Sequence, residues 1–182
     1  AACGSGQSTS EKNGTIEVAA SVNQWGTVAK ALGGDNVNVT SIINSTNVDA
    51  HDYEPTTSDI AKLQKAQVII VNGAGYDTWA VKATQTANAT IVNAAEIGGV
   101  NDGENPHVWF SADVRKAVAQ AITEAYEQAD AAKKNDFDKM NDQWTAEENN
   151  VESKIAEVKQ KTDGLAYAAT ESVASYLAED MG

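Results

Sequence analysis

Val68-Ile69-Ile70-Val71-Asn72-Gly73-Ala74-Gly75-Tyr76-Asp77-Thr78-Trp79 decides the fold class of this chain. Its first four residues are the most strand-like in the sequence, and two turn-forming glycines follow at once. Before it, Thr56 to Lys65 has the pattern of a helix, with Ser58 or Thr57 near its N-cap. After it, Tyr76 to Thr86 reads as a second helix and Thr90-Ile91-Val92-Asn93 as a short strand. Towards the N-terminus, Ile16-Glu17-Val18-Ala19-Ala20 suits a buried strand. Gln24 to Leu32 carries Trp25, Val28, Ala29 and Leu32 at helical spacing and stops at Gly33-Gly34. Val37 to Ile43 alternates and then runs apolar, as a strand does. Strands and helices alternating across short loops predict a parallel α/β sheet. Right-handed crossovers put the loops that follow the strands along one edge, where open α/β sheets bind ligands.

Beyond this lobe the pattern changes. Ala112 to Thr162 contains neither Pro nor Gly. Ala117, Ala121, Ile122 and Ala125 give one helix an apolar stripe, and Phe137, Met140, Trp144, Val151, Ile155 and Val158 give a second. Two helices broken near Asp130 are predicted, the second about 30 residues and ~45 Å long. That length suits a strut joining two lobes; a helix pair packed on the surface of one domain is the alternative. Asp163-Gly164 ends the helix, Leu165 to Ala169 reads as a strand, and Val173 to Asp180 as a short helix. The expected organisation is a tether over 1–14, an N-terminal α/β lobe over 15–111, a helical linker over 112–163, and the incomplete beginning of a second α/β lobe over 164–182. A strand near Leu165 to Ala169 with an unpaired edge would invite dimerisation or strand exchange.

The 182 residues hold 13 Lys+Arg against 26 Asp+Glu, a formal net charge of −13. Nucleic-acid binding needs clustered cations, so this balance argues against it. No run approaches the ~18 apolar residues of a membrane span. The one cysteine, Cys3, excludes an intrachain disulfide and a Cys-based zinc site. Its setting, Ala1-Ala2-Cys3-Gly4-Ser5-Gly6 before a polar tail, resembles the end of a bacterial lipoprotein signal peptide. In that reading Cys3 carries lipid and the protein works outside the cytoplasm, tied to a membrane; a stray cysteine is the alternative.

The only two histidines fall on the expected ligand edge. His51 lies in Asp49-Ala50-His51-Asp52-Tyr53-Glu54-Pro55 after the second strand, and His107 in Asn105-Pro106-His107-Val108-Trp109-Phe110 after the fourth. Glu171 occupies the corresponding place after the fifth strand; an acid favoured at a helix N-terminus is the plainer reading of it. Two imidazoles with a carboxylate suit a divalent transition metal, whereas Ca²⁺ takes oxygen donors and Cu(I) wants sulfur. Gly73-Ala74-Gly75 fails as a dinucleotide fingerprint, because Thr78 stands where the third glycine belongs. No Walker loop and no Gly-x-Ser-x-Gly elbow is present. A metal hydrolase would need a general base, for which only Asp52 or Glu54 offer themselves.

Four ordered stretches resemble the metal-binding solute receptors of bacterial ABC importers for zinc and manganese. They are Val48 to Pro55 with Ser58-Asp59, Val71 to Trp79, Asn105 to Phe110, and Ala169-Thr170-Glu171-Ser172-Val173-Ala174-Ser175-Tyr176-Leu177. The resemblance implies a bilobal fold with a long linking helix and the metal between the lobes. It implies His51, His107 and Glu171 as ligands, a fourth carboxylate beyond residue 182, and a membrane permease as partner. Glu in place of a third His favours Mn²⁺, although Zn²⁺ binds a given N/O site more tightly. Between Glu96 and Asn105 only Asp102 and Glu104 are acidic, so the His- and acid-rich loop of many zinc receptors is missing. Manganese is therefore preferred over zinc. The expected mechanism uses neutral imidazoles whose second N–H groups are held by nearby acceptors, with binding lost as the rings protonate near ~6.5. An adhesin lipoprotein with a vestigial site is the competing reading, and no sequence feature marks its contact patch.

Overall fold

A computed structural model describes residues 14–162 and 172–181. Four parallel strands form one sheet: β1 (Ile16–Val22), β2 (Val37–Ile43), β3 (Val68–Val71) and β4 (Thr90–Asn93), in the order β2-β1-β3-β4. Ile16 pairs with Val37, Val18 with Val68, and Val68 with Thr90. The chain therefore winds outward from β1 to β2, crosses back to β3, and continues to β4. The loops after β1 and β3 leave in opposite directions, which opens a crevice at that edge of the sheet.

Alternation along the strands divides the core. Ile16, Val18, Ala20 and Val22 face one side with Val68, Ile70 and Val92. They pack under α1 (Asn23–Gly33), α5 (Ala112–Ala129) and the start of α6 (Lys134–Thr162), through Trp25, Leu32, Ile122, Tyr126 and Phe137. Ala19, Ile69 and Val71 face the other side, against Leu63 of α2 (Thr57–Lys65) and Ala80 and Ala83 of α3 (Thr78–Thr84). Helices cover both faces, so the strands read as unbroken apolar runs. A four-residue helix, α4 (Ala94–Ile97), follows β4 directly.

Two local differences from the sequence reading have physical causes. The cap of α2 is Thr56, not Ser58 or Thr57. Thr56 is extended after Pro55, its hydroxyl accepts from Asp59 N–H at 3.2 Å, and Asp59 accepts from Thr56 N–H at 2.9 Å. This reciprocal pair satisfies two helix-end donors at once. α3 begins at Thr78 rather than Tyr76, because the Asp77 carboxylate turns back to accept from Asn72 N–H (2.7 Å), Gly73 N–H (2.9 Å) and the Ser21 hydroxyl. Gly73, Ala74 and Gly75 carry φ of 78°, 52° and 76° in that turn. A Cβ on Gly73 would lie 2.2 Å from Asn93 Oδ1, so glycine is required there for space as well as for φ.

The helical break falls at Asp130, as expected, with a 3-10 turn over Ala131–Lys133. α6 then runs unbroken for 29 residues. Its first part seats Phe137 on Tyr126, and its middle is fastened to α5 by the Arg115–Glu148 and Lys116–Glu152 pairs. Val151 and Val158 further along are 46% and 43% exposed. A short helix, α7 (Ser175–Met181), closes the described part of the chain. Among the described residues no helix is long and apolar enough to cross a membrane. Cys3 with most of the expected tether, the expected strand Leu165 to Ala169, and Glu171 lie outside the described residues.

Candidate metal centre

His51 and His107 reach the same corner of the molecule. His51 comes from the long loop after β2, and His107 from the loop that leads into a 3-10 turn over Val108–Phe110. Both imidazoles pack edge-on against Tyr76, from the loop after β3, with ring centroids 4.8 Å and 6.0 Å away. Trp109 closes the far side, 5.1 Å from Tyr76 and 5.3 Å from His107.

Each histidine is held by the same device. Asp49 Oδ1 accepts from the His51 backbone N–H at 2.9 Å and sits 3.1 Å from its Nδ1. Asn105 Oδ1 accepts from the His107 backbone N–H at 3.2 Å and sits 2.7 Å from its Nδ1. An oxygen that already accepts the backbone proton calls for an Nδ1–H donor, which makes Nε2 the electron-pair donor of each ring. Such Asx turns, with side-chain oxygen at i and N–H at i+2, cost no extra secondary structure.

The intervening residues are tethered to the core. The Trp79 indole N–H donates to the Ala50 carbonyl at 3.2 Å, and Asn72 Nδ2 donates to the Pro106 carbonyl at 2.8 Å. Asn72 itself is buried and accepts from the Trp25 indole at 3.0 Å. Trp25 and Asn72 thus tether the His107 loop, and Trp79 separately tethers the His51 loop. Beside it a cavity of about 290 Å³ opens at the ends of β1 and β2, lined in part by Ala50 and Tyr76. A larger, apolar groove of about 510 Å³ lies elsewhere, between α6 and α7.

The backbone N–H of His51, then its ring, hold the Asp49 carboxyl below its usual range. Burial, then the carboxylates of Asp49 and Asp77, push the Tyr76 phenol up, so it stays neutral between the rings. Burial also raises Asp77, against the hydrogen bonds from Ser21, Asn72 and Gly73. Among the described residues no three His, Cys, Asp or Glu side chains gather as a metal cluster. Two imidazoles offering Nε2 from one wall would supply half of a transition-metal site, a donor set that fits Zn²⁺ or Mn²⁺ once carboxylates complete it. Asp49, Asn105, Tyr76 and Asn72 were not singled out by the sequence reading. The signal for two of them is present: each histidine follows an Asp or Asn by two positions.

A parallel α/β lobe carries this two-imidazole wall on its ligand edge. The chain belongs to the family described as zinc-uptake complex component A, periplasmic (ZnuA), whose sequence profile matches residues 18–182. It is 24% identical over 206 aligned residues to the high-affinity zinc uptake system protein ZnuA of Bacillus subtilis, covering 100% of this chain and 64% of that protein. It is 25% identical over 154 residues to the manganese ABC transporter substrate-binding lipoprotein PsaA of Streptococcus anginosus, covering 76% of this chain and 50% of that one. The chain thus spans between half and two thirds of the length of these relatives. The crystal structure of the metal-dependent lipoprotein YcdH from Bacillus subtilis shares the fold, with a TM-score of 0.83 at 24% identity over 92% of this chain and 64% of that one.

Proposed function

We propose that this chain is the first lobe, linking helix and part of the second lobe of a receptor that captures a divalent transition metal outside the cytoplasm and delivers it to an ABC permease. The observation that carries this reading is the pair of histidines, each with Nδ1 bound to an Asx oxygen and both rings on Tyr76. The family's description as an uptake component supports a receptor rather than an enzyme. His51 and His107 bind the metal through Nε2, and Glu171 adds a charged oxygen donor. Ser172, the next residue in the chain, hydrogen-bonds to Asn105 in the His107 loop, which supports that assignment. A fourth carboxylate comes from the part of the relatives' length that this chain does not span.

The same proposal takes residues 1–14 as a tether with lipid on Cys3, 15–111 as the first lobe, 112–163 as the linker and 164–182 as the start of the second lobe. A metal-bound receptor of this design docks on its permease and carries no nucleic acid. Strand exchange or dimerisation follows if a strand near Leu165 to Ala169 is left with an unpaired edge. Relatives are named for zinc and for manganese. A Glu171 ligand hardens the site and favours Mn²⁺ relative to a three-His site.

Calorimetric titration of metal-free protein with Zn²⁺ and Mn²⁺ tests this. One-to-one binding is expected, weakened far more by His51→Ala than by Glu157→Ala on the exposed part of α6. Equal affinities in those two variants would remove His51 from the site. Absence of binding to this chain and to a full-length chain would remove the receptor reading.

A further inference from the structure

The two histidine turns are alike except in one respect. Among the described residues Asp49 bonds only to His51, and its side chain is 62% exposed. Asn105 is half-buried and has further partners. Its Nδ2 donates to the Ser172 carbonyl at 2.9 Å, its Oδ1 accepts from the Ser172 hydroxyl at 3.3 Å, and its own carbonyl accepts from the Tyr176 hydroxyl at 2.7 Å. Tyr176 and Asp180 are four residues apart on one face of α7, and Ser172 lies in the turn before it. Asp180 adds a third attachment, accepting from Ala112 N–H at the start of α5 at 3.3 Å. The segment that follows Glu171 is thus stapled to the His107 loop and to the start of α5, and two of its three staples end on the residue that orients His107.

We propose that Asn105 is a positioning residue that couples the seating of α7 to the presentation of His107. One planar amide does both jobs. Its oxygen faces the Nδ1 of His107 and its nitrogen faces the Ser172 carbonyl, so the amide cannot turn over without losing both bonds at once. A shift of α7 that pulls on Ser172 therefore reaches the ring through a single rigid group, and one that pulls on Tyr176 reaches it through the Asn105 backbone carbonyl. The functional consequence rests on the reading of His107 as a metal ligand; the coupling itself does not. It makes the metal site sensitive to the position of the second-lobe segment before any ligand from that segment touches the ion.

The test is made on the metal-free chain. Long-range ¹H–¹⁵N NMR at pH 8, well above the ordinary imidazole value of ~6.5, reports the His107 tautomer. The heteronuclear NOE over residues 175–181 reports the seating of α7. The wild type is expected to show Nδ1–H at His107 and an ordered α7. Asn105→Ala should populate the Nε2–H form and lower the NOEs together. Asn105→Asp keeps the oxygen but not the donor, so it should restore Nδ1–H while α7 stays loosened. Tyr176→Phe leaves Asn105 intact and removes one staple; the NOEs should fall and the His107 cross-peaks should move. Unchanged His107 cross-peaks in Tyr176→Phe, or loss of the tautomer in Asn105→Ala with α7 still ordered, overturns the coupling. A parallel zinc titration is expected to weaken about 10–100-fold in Asn105→Ala and to recover in Asn105→Asp. Failure of both the wild type and a full-length chain to bind metal would instead remove the receptor reading while the tautomer result stood.

Discussion

Asn72→Ala should be among the most damaging small substitutions in the first lobe, although Asn72 is no ligand. The side chain is fully buried and makes three hydrogen bonds: its Oδ1 accepts from the Trp25 indole at 3.0 Å, and its Nδ2 donates to the Pro106 carbonyl at 2.8 Å and to the Gly73 carbonyl at 3.2 Å. The losses are unequal. Trp25 is fully buried, so its indole N–H is left without a partner, at a cost of about 1–3 kcal/mol. Pro106 keeps the Val108 backbone N–H at 2.8 Å and Gly73 keeps the Tyr76 backbone N–H at 3.0 Å, so those losses orphan nothing and come to about 1 kcal/mol in all. Together they come to about 3 kcal/mol, or ~6–12 °C in Tm for a chain of this size. Urea denaturation measures the change in stability. A double-mutant cycle with Trp25→Phe isolates the indole bond, because Asn72→Ala orphans nothing once the donor is gone. A coupling of about 1 kcal/mol or more is expected. A loss under 1 kcal/mol for Asn72→Ala, or a cycle additive to within ~0.5 kcal/mol, would refute the network as the strut of the His107 loop.

Other substitutions test the remaining parts of the frame. Gly73→Ala and Gly75→Ala share a positive φ near 77°, but only the first meets a neighbour, so Gly75→Ala should cost about 1–2 kcal/mol and Gly73→Ala clearly more in denaturant titration. Asp59 is desolvated, yet hydrogen bonds from Thr56 and Tyr53 and the charge of Lys62 outweigh this and hold its carboxyl below the usual value. Its contribution is complete above the unfolded value of ~3.9 and fades as pH falls through the lower folded value. Asp59→Ala should therefore lose about 1.5–3 kcal/mol at pH 7 and less of a difference from wild type in acid, read from Tm across pH 2–7. Asp77 works in the opposite sense: burial raises its carboxyl, so its ionisation costs stability as pH climbs above ~3.9. Removing the Tyr126 hydroxyl, which donates to the Ala29 carbonyl at 2.8 Å, should cost about 1 kcal/mol and leave metal titrations unchanged.

What could be read directly from the residues was whatever depends on repeated local pattern. The strands were visible because a sheet covered on both faces leaves continuous apolar runs such as Val68 to Val71, and the break at Asp130 because two apolar stripes change phase there. Boundaries failed where a side chain competes with the helix for its own end. Asp77 looks like an ordinary first-turn acid until its carboxylate is seen bonded to Asn72, Gly73 and Ser21. Thr56, Thr57 and Ser58 are equally good caps by type, and only Asp59, three residues after Thr56, distinguishes it.

The histidines stand out by scarcity rather than by spacing, since they lie 56 positions apart and both pack on Tyr76, which by itself reads as a helix residue. Their supports are another matter, because these are local. An Asp or Asn at i−2 places one oxygen within reach of both the backbone N–H and the ring Nδ1 of the histidine, as Asp49 and Asn105 do. No acid at i+1, such as Asp52, is seen doing this. A loop histidine preceded at that distance by an Asx therefore has a chosen tautomer before any metal arrives. That makes it a stronger candidate for a ligand than a histidine judged by its type alone. Asp49-Ala50-His51 and Asn105-Pro106-His107 satisfy the pattern twice in a chain with two histidines, and the carbonyl between is tied to the core in both cases, by Trp79 and by Asn72. A solvated loop histidine needs neither the acceptor behind it nor the tether beside it; a ligand that must find an ion with its Nε2 needs both.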